Sequence, residues 1–219
     1  MNPSESGLTT VSGWKRWILL FLVLVLLLAV FLVNAHRFLA VTSRVDDADI
    51  LVVEGWSADV VGKAAVTEFK EGNYERLLIS SLRGDTGPGE NAKYGPKTSI
   101  ADYMISLGIP ADRIMECSGP MTDNHRSATM ARGVRDALRR GGIKSKGVNV
   151  MAPATHARKT WLVHRRALLP ETPVGIIAVL PGVYDPARWW MNRQAAKWVL
   201  KNYVGLFYEW VTGSSFLTR

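Results

Sequence analysis

From Trp17 to Val33 every residue is apolar, and polar positions resume only at Asn34. At the helical rise per residue this run covers about 25 Å, most of a ~30 Å hydrocarbon core. The pattern predicts a transmembrane anchor over 17–37, behind a polar tail over 1–16. Trp14 and Trp17 sit where interfacial aromatics belong, and Lys15 and Arg16 place positive charge on the short N-terminal side. That asymmetry predicts a cytoplasmic N-terminus, although His36, Arg37 and Arg44 follow the run and dilute it. Val33-Asn34-Ala35 has the small-x-small form of a signal cleavage site, but the apolar run exceeds the ~7–15 residues of a cleavable signal core. An uncleaved anchor is expected.

Past a polar connector at Thr42 to Asp47 the pattern changes. A continuous apolar run occurs at Ile50 to Val53, and similar signals recur at Leu77 to Ile79, Ile114-Met115, Val148 to Met151 around Asn149, and Val174 to Val179. Runs of this length and β-branched content predict strands buried on both faces. Helical stretches fall between them: Ser57 to about Glu71, Ser99 to Leu107, Thr122 or Asp123 to Arg140, and Thr155 towards Leu168. Strand and helix therefore alternate. The expected fold class is α/β, a Rossmann-like, open and mainly parallel sheet with helices on both faces, over 47–183.

In such a sheet the ligand crevice lies outside the carboxyl ends of the strands. The residues there are polar: Glu54-Gly55-Trp56-Ser57, Ser80-Ser81, Ser118 to Arg126, and Pro153 to Arg158. Arg83 to Lys97, rich in Gly and Pro, predicts a mobile loop beside that edge. The last segment, 184–219, mixes Trp189, Trp190, Trp198 and Trp210 with Arg188, Arg193, Lys197 and Lys201. Such a mixture suits a membrane interface or a terminal helix packed on the sheet, and the two are compatible.

The formal net charge of +8 points to an anionic partner, and for a tethered domain the nearest are membrane lipids and phosphorylated lipid carriers. Basic residues are interleaved with Asp and Glu rather than run together, so nucleic acid is not expected. Cys117 is the single cysteine, which excludes an internal disulfide; it reads as a buried, inert thiol.

Three segments resemble one family when taken in order: Asp49 to Gly55, Leu107 to Ile114, and Ala154-Thr155-His156-Ala157-Arg158. They are similar to motifs of the ElyC/SanA/YdcF family of bacterial envelope proteins, over roughly Asp47 to Leu180. The resemblance implies a nucleotide-binding-like α/β sheet, a place in the bacterial inner membrane with a periplasmic domain, and a role in peptidoglycan assembly, lipid-carrier metabolism or barrier function. By position, Glu54 and Gly55 fall at the family's first strand-end turn, Ser80 and Ser81 at its Ser-Gly-Gly turn, Thr122 at a Thr-containing segment, and His156 and Arg158 at a His-x-x-Arg-like element. Glu54 stands where many relatives keep a glycine-rich turn, Leu82 where a glycine would follow the serines, and His125 where Asn is common. These departures fit a subfamily that holds a related ligand differently.

The residues support matching chemistry. Phosphate at this edge would be held by backbone N–H groups at helix starts and by the guanidinium forks of Arg126 and Arg158. Thr122 and Thr155 would either cap helices or touch the ligand. His156 is the candidate for proton transfer, with Glu54 or Asp123 to orient it; the alternative is a histidine bonded to backbone at a helix start. His125 is a second candidate, while His36 and His164 read as structural or interfacial. No metal is expected, and no particular cofactor is indicated. Walker-type loops and Gly-x-Ser-x-Gly elbows are missing from the sequence, which argues against ATP hydrolysis and α/β-hydrolase chemistry. Two functions remain open: an enzyme or carrier-handling protein acting on a phosphorylated lipid or cell-wall precursor, and a non-catalytic module that binds a nucleotide-like ligand or scaffolds envelope machinery.

Overall fold

The computed structural model describes residues 13–83 and 99–217. The expected loop from Arg83 to Lys97 lies, from residue 84 onward, outside the described residues, as do the first 12 residues of the polar tail. The apolar run forms the core of a 27-residue helix, α1 (Gly13–Leu39), which is long and apolar enough to cross a membrane. Its side chains are exposed until the last turns, where Ala35, His36 and Leu39 become buried.

Five parallel strands follow: β1 (Ile50–Glu54), β2 (Arg76–Leu82), β3 (Ile114–Gly119), β4 (Val148–Pro153) and β5 (Val174–Val179). Their order across the sheet is β3-β2-β1-β4-β5. The chain winds outward from β1 to β3, then crosses back to build β4 and β5 on the other side of β1. The switch point therefore lies between β1 and β4, where open α/β sheets form their crevice.

Successive strand side chains point to opposite faces, and each face has its own helices. Leu51, Val53, Leu77 and Ile79 pack with Val61, Ala65 and Phe69 of α2 (Ala58–Glu71) and Met104 of α3 (Ile100–Ser106). Ile50, Val52, Leu78 and Val150 pack with Ala131 and Val134 of α4 (Arg126–Arg140) and Val163 of α5 (Ala157–Leu168). All five residues of β1 are buried, as a central parallel strand requires.

Helix starts differ in how they are made. Ser99 forms a full capping box with Asp102 at the head of α3. Ser57 precedes α2 but turns its hydroxyl back, donating to the Glu54 carbonyl at 2.9 Å. The helix expected from Thr122 or Asp123 begins only at Arg126. His125 holds a left-handed conformation at φ 53°, and Thr122 spends its hydroxyl on the amide and carbonyl of Asn124, so 122–125 form a closed turn that helical dihedrals cannot run through.

The connector behind α1 is stitched to the sheet. Ser43 pairs antiparallel with Ile176 of β5, Asn149 of β4 bonds both the amide and the carbonyl of Val45, and Arg44 makes a two-armed ion pair with Glu68 of α2. At the far end of the chain, a 3-10 turn (Pro186–Met191) leads into α6 (Arg193–Leu217). Trp189, Ala195 and Val199 bury themselves against Ala35 and Leu39. The Trp189 indole donates to the Leu32 carbonyl at 2.8 Å, and the Tyr203 hydroxyl to the Ala35 carbonyl at 3.2 Å. The terminal segment is thus packed on the domain and on the end of α1 at once.

Candidate functional site

The switch point brings Glu54, last residue of β1, against Thr155 and His156, which follow β4. The turn is closely packed at Gly55, where an added Cβ would lie 2.6 Å from the tip of the Ile100 side chain. Ser80 is paired in register with Glu54 and is itself buried, its hydroxyl donating to the Met130 carbonyl at 3.0 Å.

Glu54 is fully buried. Its Oε2 accepts from the Trp56 indole at 3.0 Å and from the Thr160 hydroxyl at 3.3 Å, while Oε1 has no partner among the described residues. Burial is the largest influence on this carboxyl and raises its pKa from 4.5 to about 7, against the opposing pull of Lys159 and of its two hydrogen bonds. The charge state of Glu54 is therefore balanced near neutrality.

His156 stands on the other side. Its Nδ1 is 2.9 Å from Asn202 Oδ1, and the Asn202 amide nitrogen donates to Thr155 Oγ1 at 3.0 Å and to the Trp198 carbonyl. Because the Asn202 nitrogen is committed, its oxygen must accept, so Nδ1 of His156 carries the proton. The lone pair on Nε2 then faces Ser127 Oγ at 3.5 Å and Glu54 Oε2 at 3.7 Å. That last separation would be an ion pair for a protonated ring. Burial, reinforced by Lys159, instead pushes the His156 pKa down to about 3, so at neutral pH a neutral imidazole faces the carboxyl group. The Trp56 ring packs edge-on against it, centroids 4.9 Å apart. Electrostatics makes Glu54, rather than His156, the group that changes protonation near pH 7.

A second polar cluster adjoins the first. Lys159 is within electrostatic reach of both Glu54 and Glu209, and burial lowers its pKa. Glu209, buried on α6, lies 3.1 Å from Nδ1 of His125, whose ring stacks on Tyr208. His164 is wholly buried and bonds the Thr160 carbonyl at 2.9 Å, as a structural histidine does.

The other expected site residues stand apart from this pair. Ser81 bonds Ser118 across β2 and β3 at 3.1 Å. Thr122 is used by its own turn, Asp123 is exposed beside it, and Arg126 is exposed at the first position of α4, next to Ser127. Arg158 turns away from the crevice: its Nε donates to the Phe38 carbonyl and its guanidinium lies 4.1 Å from the Phe38 ring centroid. Asn202, Thr160, Lys159 and Ser127 complete the site and were not expected from the sequence. Trp56 was marked only as part of the polar strand end.

Compared with known proteins, the chain matches no family model and no curated protein. The residues themselves carry the functional argument.

Proposed function

We propose that this chain is a membrane-anchored cell-envelope protein that handles a phosphorylated lipid carrier or cell-wall precursor, with its domain on the periplasmic side of a bacterial inner membrane. The observation that carries the reading is a buried carboxyl with a pKa of about 7 at the switch point of the sheet, facing the neutral imidazole of His156. A group poised near the working pH is suited to giving and taking a proton. The same sheet edge lies beside the end of α1, since Arg158, two residues beyond His156, bonds Phe38. A substrate carried by the membrane would meet the site without leaving the bilayer surface.

In this reading Glu54 moves the proton, Asn202 fixes the ring of His156, and Arg126 at the head of α4 supplies positive charge for a phosphate. The test is in cells: lipid-linked phosphates are profiled in a strain lacking the gene and complemented with wild type or with His156→Ala. Wild type should restore the profile, and His156→Ala, shown by circular dichroism to be folded, should leave it as in the deletion. A restored profile with His156→Ala sinks the chemistry.

One observation favours the non-catalytic alternative. Asn202 of α6 closes over His156, so the network of Glu54, His156, Thr155 and Asn202 also latches α6 to the sheet. A module built on that latch would bind or scaffold without turnover, and would tolerate Glu54→Gln in cells.

A further inference from the structure

A groove of about 810 Å³ runs between α5 and α6 and opens beside the last turn of α1. Its walls are apolar and largely aromatic, with Phe38, Trp161, Tyr203, Phe207 and Trp210 supplying the rings. Phe207 and Trp210 are 64% and 63% exposed, an extent that a soluble helix would ordinarily bury. Among the described residues no acidic side chain lines the groove, whereas three arginines do.

Those arginines have different duties. Arg166 is committed, giving both Nη groups to the carbonyls of Glu209 and Trp210 and so tying α6 to α5. Arg158 uses only Nε, on Phe38, and its Nη groups meet no acceptor among the described residues. Arg165 is exposed, lies 5.0 Å from the Trp161 ring centroid and has no carboxylate partner among the described residues. Two guanidiniums with donors to spare thus stand over an apolar trough that is continuous with the membrane anchor. An apolar chain and an anionic head on one molecule satisfy both halves, and guanidinium forks suit phosphate in particular.

We infer that the α5–α6 groove holds one membrane lipid with an anionic phosphate headgroup, its hydrocarbon chain along Trp161, Phe207 and Trp210 and its phosphate on Arg158 and Arg165. The inference rests on the membrane placement proposed above and on no chemistry at Glu54.

The test uses the full chain in phosphatidylcholine nanodiscs doped with phosphatidic acid carrying a diazirine in its acyl chain. After irradiation, crosslinks should map to 161–169 and 203–210. The double variant Arg158→Gln/Arg165→Gln should lower that labelling about a hundredfold, the loss of roughly one charge-assisted hydrogen bond from each arginine. Leu162→Trp, which fills the groove and removes no charge, should lower it as well. Crosslinks confined to α1, or equal labelling by a phosphatidylcholine probe, would overturn the lipid site, as would labelling indifferent to both variants. Glu54→Gln should label like wild type. If it does so while also restoring the cellular lipid profile, the proposed chemistry falls and the groove stands. A chain that does not enter nanodiscs takes both readings down.

Discussion

Glu54→Gln is expected to raise the stability of the protein by roughly 3 kcal/mol at pH 8 and by almost nothing at pH 4.5. The folded protein holds a proton on Glu54 up to about pH 7, whereas an unfolded chain releases it near the ordinary 4.5. An acid whose folded pKa is raised subtracts stability as pH climbs through that window, and the subtraction is complete above 7. Glutamine keeps an oxygen to accept from Trp56 and Thr160 and cannot ionise, so the variant escapes the loss. His156 works in the opposite direction: with a folded pKa of about 3 against 6.5, it subtracts stability as pH falls below 6.5. His164, pushed down to about 4 by its burial, adds to that acid-side fall. Denaturant unfolding at several pH values should therefore show wild type losing stability between pH 6.5 and 7 while Glu54→Gln does not. The same variant should slow any proton transfer at the site by about 10²- to 10⁴-fold, the usual share of a general acid or base. Stability gained and function lost together identify a residue kept buried at a cost for its chemistry. Parallel pH profiles for the two proteins would show that folding leaves the pKa of Glu54 at its ordinary value, and the proton-transfer role would go with them.

Much of the fold was legible because its signals are local. Most strands carry a short apolar run, and a central parallel strand such as β1 has no other way to be buried on both faces. The candidate site was legible in part for the same reason: Glu54 and His156 each end or follow a strand, and the topology alone carries them to the switch point. What escaped was set by distance along the chain or by competition. Asn202 lies 46 residues from His156 on a helix whose docking no local pattern encodes. Arg158 was expected to turn its fork into the crevice, but the Phe38 carbonyl and ring at the end of α1 are a nearer partner. The sequence offers Thr122 as a helix cap or a ligand contact, yet the left-handed turn at His125 leaves its hydroxyl to the turn itself. In each case a long-range or loop contact won over a local preference.

Gly175→Ala should destabilise the protein by roughly 3–5 kcal/mol, combining overpacking with lost hydrogen bonds. A Cβ on Gly175 would lie 2.0 Å from Asn149 Oδ1, 2.7 Å from the Val45 nitrogen and 2.9 Å from the Ser43 oxygen. Asn149 cannot step aside without giving up the Val45 amide, the Val45 carbonyl and the Tyr74 hydroxyl, all held between 2.9 and 3.0 Å. Ser43 cannot move either, because it exchanges two backbone hydrogen bonds of 2.8 Å with Ile176. The strain must go into the connector, which is the segment that fixes the domain to the end of α1. Hydrogen exchange should then show the Ser43, Val45 and Ile176 amides losing protection before those of β1, and denaturant unfolding should show the lower stability. Protection at Ser43 and Val45 unchanged by the extra methyl group would mean that this sheet edge has slack and that the connector is not a rigid seam between α1 and the sheet.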